Sequence, residues 1–314
     1  MVCFPPSEAS WTSPFFILSS SFFHLGGWLR RVVRHALNEV PSGYNPPVFP
    51  LLALYVFLLG AIIGSFLNVV IYRYPHGESL AFPGSHCPNC SAPIRFYDNV
   101  PVLSWVLLRG RCRACHQSIA MRYPLVELAN GLFYLALFIR TGVSLSFVPL
   151  AAIVSMTIVL IFIDLDIQIL PDVIDLPGIG LGLLIGYLAQ REPPAADLTV
   201  APDLRSSIIG AFVGAGLLWA IAMAYKLLRH VDGMGMGDVK MLSMIGAVVG
   251  WQALLPCLVI ASLVGAVAGI ALAIRQRSNL QVALPFGVFL GLALLGVIFF
   301  GHTLLQWYRW SPVQ

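Results

Sequence analysis

From Phe49 to Tyr72 the chain runs for 24 residues without one Asp, Glu, Lys or Arg. About 20 such residues cross the hydrocarbon of a bilayer as a helix, the one open-chain structure that satisfies its own backbone N–H and C=O groups there. Comparable runs recur at about 123–140, 146–163, 173–190, 206–227 and 283–306, and 240–274 is too long for one span. Only 10% of the 314 residues are charged, against about 25% in a soluble domain, too few to cover a soluble surface. The chain is expected to be an all-α polytopic membrane protein embedded in a lipid bilayer. Its net charge of +4 points to no partner, and no nucleic-acid partner is expected.

Charge distribution sets the number of spans. A polar island from 73 to about 122 carries Arg73, Arg95, Arg109, Arg111, Arg113 and Arg122; Lys226, Arg229 and Lys240 cluster later, followed by Arg275 and Arg277. If 240–274 turns back at Gly250-Trp251-Gln252, there are about eight spans, and all of these cations fall on one side with the island. By the positive-inside rule that side is cytosolic. Arg140, Arg191, Arg205 and Arg309 fall opposite, and the outer segment 191–205 reads as a linker.

The island holds two Cys-X-X-Cys pairs, Cys87/Cys90 and Cys112/Cys115, separated by 21 residues. Four thiolates at this spacing can close a tetrahedral zinc site. Disulfides are the alternative, but knuckles flanking an Arg-rich loop fit a metal better than a secreted staple. Four sulfurs leave no open coordination position, so the expected zinc is structural. His86 and His116 flank the motif without being needed as ligands. Cys257, in an apolar run, reads as a small buried hydrophobe. Before the first span, residues 28–37 alternate apolar pairs with Arg30, Arg31 and Arg34. That segment is either an interfacial amphipathic helix or sequence upstream of the true start.

Carboxylates are scarce, so their clustering is informative. One group is Asp164, Asp166, Asp172 and Asp175; the other is Asp232 and Asp238, the latter ending Gly235-Met236-Gly237-Asp238. Both lie at the same ends of predicted spans, where an ionisable group is a functional hypothesis by default. Two carboxylates brought together can share a proton and activate water. Asp164 and Asp166 are not separable by chemistry alone, although Asp164 lies nearer the span. Asp172 and Asp175, following Pro171, are expected to serve the fold in a first helical turn, and Asp232 to be solvated. Gly235 and Gly237 would let a peptide backbone approach closely, with helix packing as the plainer reading.

These motifs occur in order with Gly64-Ser65-Phe66-Leu67-Asn68, Tyr97-Asp98-Asn99-Val100-Pro101, Arg109-Gly110-Arg111-Cys112, Arg122-Tyr123-Pro124 with Glu127, and Pro285-Phe286-Gly287. Over about 49–300 the chain resembles the bacterial type IV prepilin peptidases, or leader peptidase/N-methyltransferases, of pilus and type II secretion systems. The resemblance implies an inner-membrane aspartyl protease of the GxGD kind, with Asp164 and Asp238 as its catalytic pair. Gly235, Gly237 and Asp166 would belong to the active-site loops. The substrates implied are prepilins and pseudopilins, cut after a Gly and then methylated on the new N-terminal residue from S-adenosylmethionine. Cys87, Cys90, Cys112 and Cys115 map to a zinc-binding cytosolic domain between the first and second spans.

The expected organisation is an N-terminal extension (1–48), a methyltransferase-associated domain with the zinc module (49–145), a peptidase domain (146–275), and a last span with its tail (276–314). No Gly-rich nucleotide loop follows a strand, so no residue is assigned to the methyl donor. The alternatives are a peptidase without methyl transfer, a transporter whose aspartates bind a cation, and a zinc-bearing non-enzymatic assembly factor. Two aspartate motifs at one membrane face argue against the last two.

Overall fold

The computed structural model describes residues 48–87, 89–192, 198–230, 235–276 and 284–309. The N-terminal extension with its expected helix, and Asp232, lie outside these residues. Eight α-helices are described, with two short 3-10 turns at Tyr74–His76 and Phe96–Asn99 and no strand beyond isolated bridges. The chain divides into two compact units, Met1–Gly142 and Val143–Gln314.

In the first unit, α1 (Val48–Arg73) packs along α3 (Arg122–Thr141), and α2 (Leu103–Leu107) lies in the island between them. Lipid gives two helices no hydrophobic reason to associate, so close backbone approach and polar bonds must hold them together. Gly60 and Gly64, one turn apart on α1, provide the approach. A Cβ on Gly60 would sit 2.9 Å from the Gly131 Cα, and one on Gly64 would sit 2.8 Å from the Glu127 Cα. The Asn130 side chain donates to the Gly60 carbonyl at 2.7 Å, and the Asn68 side chain donates to the Tyr123 carbonyl at 3.1 Å.

The second unit contains α4 (Phe147–Ile167), α5 (Asp172–Ala189), α6 (Leu204–Arg229), α7 (Met236–Gln276) and α8 (Phe286–Arg309). The most enclosed is α4, with Ile153, Leu160 and Ile163 fully buried. The 41 residues of α7 are not one rod: Gly250 breaks them with φ 77° and ψ 168°. The packing partners show that the chain reverses there. Gly291 of α8 lies against Met241 of the first arm, with Gly287 and Gly237 both against Leu170, so those two segments run parallel. Gly265 and Gly269 of the second arm meet Phe289 and Leu284 in the opposite order. The turn is fixed from outside: Ser206 Oγ would lie 2.5 Å from a Cβ on Gly250, and it donates to Gln252 Oε1 at 2.6 Å.

Five helices are long and apolar enough to cross a membrane. Counting the arms of α7 separately, and adding the 20-residue α3 and 24-residue α8, gives eight among the described residues, matching the charge distribution. The protein is a multi-pass helical membrane protein. The segment expected to be a mere linker does more: the Thr199 N–H donates to the Ile298 carbonyl at 3.0 Å, and the Ala201 N–H to the Val248 carbonyl at 2.9 Å. It ties the far ends of α8 and of the first arm of α7 together. Cys257 is fully buried, as a small hydrophobe should be.

Candidate functional site

At the other end of the second unit, helix ends converge. Asp164 closes the last turn of α4 and is 4% exposed. Its Oδ2 accepts the Val288 backbone N–H at 2.9 Å, and the Gly287 N–H also donates to the carboxyl. These amides belong to the first turn of α8, where N–H groups have no partner inside the helix and favour an anion. Asp164 therefore caps a helix through Val288, 124 residues further along the chain. Its own helix ends at Gln168, in the left-handed region at φ 55°, whose N–H returns to the Asp164 carbonyl at 2.9 Å.

Asp238 stands in the first turn of α7, partly buried, and Asp164 is the charged group that acts on it. Leu170, in the connection between α4 and α5, joins the two neighbourhoods. A Cβ on Gly237 would lie 2.8 Å from the Leu170 Cβ, and a Cβ on Gly287 would lie 3.0 Å from its Cδ1 and 2.8 Å from Asp164 Oδ2. Asp164, Asp238 and Gly237 thus come together. Gly235 is exposed, with Asp238 Oδ2 3.9 Å from where its Cβ would be. Asp166 is exposed in the last turn of α4, so of the two aspartates that chemistry alone left undivided, it is Asp164 that is enclosed. Asp172 is exposed and grips Lys240 Nζ at 2.6 Å through both oxygens. Asp175 is fully buried, and neither of its oxygens has a hydrogen-bond partner. Both aspartates stand in the first turn of α5, Asp172 at its exposed side and Asp175 facing the interior.

In the first unit, Cys87, Cys90, Cys112 and Cys115 bring their sulfurs within 4.8 Å of one another. A zinc tetrathiolate with bonds of about 2.3 Å has S···S edges of about 3.8 Å. Cys87 and Cys115 are already at 3.8 Å, far beyond a disulfide bond, and all four thiols are free. The residues fit a four-coordinate metal. The two knuckles share one backbone pattern. The Cys87 N–H donates to the Ala92 carbonyl and the Ser91 N–H to the Cys87 carbonyl; the Cys112 N–H donates to Gln117 and the His116 N–H to Cys112. Ser91 and His116 both take positive φ, 55° and 57°. His116 thus serves as the turn of its knuckle.

The Gln117 backbone N–H and the Asn89 amide bring the Cys115 thiol down to about 6. Cys90 receives the Ala92 N–H, which favours its thiolate, but desolvation and the neighbouring Cys115 and Cys87 sulfurs outweigh this and push it up to about 11. The knuckles are anchored by three further contacts. Asp98, buried, receives Arg113 through Nε at 2.9 Å and Nη2 at 2.6 Å; Trp105 Nε1 donates to the Ile119 carbonyl at 3.1 Å; and the buried Glu127 of α3 accepts the Val102 N–H at 2.7 Å.

The described residues thus hold a pair of aspartates at one end of the second unit and a four-thiol centre in the first. Residues 58–141 match the bacterial peptidase A24 N-terminal domain, and residues 151–270 match the type IV leader peptidase family. Among curated proteins, the prepilin leader peptidase/N-methyltransferase of Aeromonas salmonicida is 37% identical over 280 residues, covering 81% of this chain and 92% of that protein. The protein of the same name from Pseudomonas putida is 37% identical over 258 residues, covering 75% and 86%. That of Myxococcus xanthus is 39% identical over 235 residues, covering 73% and 64%. No solved structure matches at a significant level. The chain belongs to the type IV leader peptidase family.

Proposed function

We propose that the protein is a membrane-embedded aspartyl endopeptidase that removes the basic leader from prepilins and pseudopilins, and that it then methylates the new N-terminal residue. Asp164 and Asp238 form the catalytic pair. The observation that carries this reading is Asp164, buried and held by two amides of α8, with Asp238 electrostatically within reach of it at the same end of the unit. One carboxyl is ionised and removes a proton from water, whose oxygen bonds to the scissile carbonyl carbon. The other donates a hydrogen bond to the carbonyl oxygen. The carbon–nitrogen bond then breaks, and the proton taken from water passes to the leaving amine. Preorganised donors around Asp164 keep its orientation fixed through these steps.

The domain division follows the same reading: 49–145 serves methyl transfer and 146–275 proteolysis. S-adenosylmethionine, as co-substrate, supplies the methyl group to the new amine. Zinc held by Cys87, Cys90, Cys112 and Cys115 organises the island and, with every position filled by sulfur, activates no water. We place the protein in the bacterial inner membrane with the island and both aspartates on the cytosolic side, where the cations gather and where a pilin leader stays while its apolar segment enters the bilayer.

The test is incubation of purified protein in nanodiscs with a prepilin, with and without S-adenosylmethionine, followed by mass spectrometry. Leader loss is expected in both, and a mass gain of one methyl only with the donor. Asp164→Asn and Asp238→Asn should abolish leader loss while inserting normally. Full cleavage by either variant would remove the proposed mechanism.

A further inference from the structure

Arg73, the last residue of α1, is the buried cation among the described residues, 4% exposed. No Asp or Glu among those residues pairs with it. Its Nη1 donates to the Ser79 carbonyl at 3.0 Å and its Nη2 to the Pro83 carbonyl at 2.8 Å. A guanidinium carries five N–H donors, so others are left for a further acceptor. Neutral carbonyls orient the charge without cancelling it, and a charge withdrawn from water calls for a counter-ion.

Arg73 lines a cavity of about 340 Å³ in the first unit, a size that suits a ligand. The walls change character along α1. Arg73 lies at the polar end, where Ser85 and Asn99 of the island also contribute, and Ile62, Phe66 and Val69 form the rest of the α1 wall. These four α1 residues fall at i, i+4, i+7 and i+11, one stripe of a helix. Ile62 and Phe66 are 58% and 52% exposed, on a helix that spans the bilayer, so their side chains meet lipid. From Ile62 to Arg73 the helix rises about 16 Å, close to the hydrocarbon depth of one leaflet. No Asp or Glu lines the cavity.

We propose that this cavity binds one anionic phospholipid, its phosphate on Arg73 and the Ser85 hydroxyl and an acyl chain along Ile62, Phe66 and Val69. A phosphate matches the fork of a guanidinium and supplies the missing negative charge. A free phosphate would leave the apolar wall bare. S-adenosylmethionine, with a net positive charge, would meet a cation and no carboxylate. The site needs neither Asp164 nor Asp238, so it stands apart from the peptidase reading.

The test offers the purified full chain, in detergent, equal amounts of phosphatidylglycerol and phosphatidylcholine with the same acyl chains, and counts bound lipid by native mass spectrometry. About one phosphatidylglycerol per chain is expected, preferred by at least about tenfold because its headgroup carries a net charge to an uncompensated guanidinium. Arg73→Gln removes the charge and keeps a donor for the loop carbonyls. Ser85→Glu leaves Arg73 in place and puts a carboxylate into the cavity. Each should bring the preference to within about twofold of parity, with Tm read alongside to show that the chain is folded. If Arg73→Gln fails to insert, Ser85→Glu carries the test alone. Excess inorganic phosphate, glycerol 3-phosphate or S-adenosylmethionine should leave the lipid bound. Displacement by either phosphate makes this a site for a soluble anion, and displacement by S-adenosylmethionine makes it the methyl-donor pocket; each overturns the lipid assignment. So does a wild-type chain without preference, or a folded variant that keeps it.

Discussion

Gly287→Ala tests whether the α8 amides hold Asp164, the carboxylate proposed to be catalytic. The new Cβ would lie 2.8 Å from Asp164 Oδ2, 3.1 Å from its Cγ and 3.0 Å from Leu170 Cδ1. A carbon–oxygen contact needs about 3.4 Å or more, so something has to give by about half an ångström. Asp164 is 4% exposed and enclosed, so the movement available to it is away from α8, off the N–H groups of Val288 and Gly287. A hydrogen bond to a charged group contributes about 1.5–3 kcal/mol. If one is lost where the carboxylate works, kcat falls about 10- to 100-fold, at about 1.4 kcal/mol per tenfold. KM should change little, because in the proposed mechanism the perturbed atoms act on the water and the carbonyl rather than on the leader. Gly296→Ala, further along the same helix, is the matched control: a Cβ there meets nothing within 4 Å. It should keep its kcat and gain up to about 1 kcal/mol of helix stability. Steady-state cleavage of prepilin in nanodiscs, with thermal unfolding of each variant, reads both numbers. A Gly287→Ala protein with wild-type kcat would refute the reasoning, as would a Gly296→Ala protein that loses activity.

Elemental analysis of the purified protein should find about one zinc per chain, lost in the Cys87→Ser/Cys90→Ser double variant; metal-free protein with an intact island would contradict the four-thiol centre. Because Cys87 is fully buried with Ile119 and Tyr123, a strong chelator should lower the melting temperature and expose island sites to limited proteolysis before the second unit is cut. In the second unit, Gly246→Ala places a Cβ 2.0 Å from the Gly210 carbonyl oxygen, so α6 and α7 must separate. Overpacking of that kind costs about 1–3 kcal/mol, and a thermal scan that shows no drop in Tm would mean the helices are less tightly engaged than their glycines indicate.

The membrane fold was legible because the bilayer imposes rules that a single sequence obeys openly. Apolar length gave the spans, and the placement of Arg109, Arg113, Lys226 and Lys240 favoured an even number, with Gly250-Trp251-Gln252 as the place where 240–274 could turn back. The cysteine spacing was equally direct, since ligand spacing within a knuckle is local. The rest was hidden by distance along the chain. Nothing near Asp164 in sequence announces that its partners are the amides of Gly287 and Val288. Pro285-Phe286-Gly287 ahead of an apolar run does mark a helix start, and a helix start is an anion site, but which of several carboxylates fills it is decided by tertiary packing. The burial of Asp175 was hidden for a related reason. Its position after Pro171 fits a first helical turn, and propensity says nothing about whether that turn faces solvent, as at Asp172, or the interior.

The glycine before Asp238 shows how packing and chemistry are joined at this site. From the sequence, Gly235 and Gly237 read either as room for a substrate backbone or as helix packing. In the structure the space beside Gly237 is filled by Leu170, whose Cβ stands 2.8 Å from where a Gly237 Cβ would be, while Gly235 is open. Leu170 also packs beside Gly287, against the carboxylate of Asp164. One leucine, in the connection after α4, therefore needs a missing side chain on α7 and another on α8 in order to sit where it does. Bulk at Gly237 displaces Leu170 before it touches a substrate, and Leu170 in turn bears on the neighbourhood of Asp164. The two glycines of the motif thus differ in what surrounds them: Gly235 stands open, and Gly237 lets the connection that follows Asp164 close against the helix that carries Asp238.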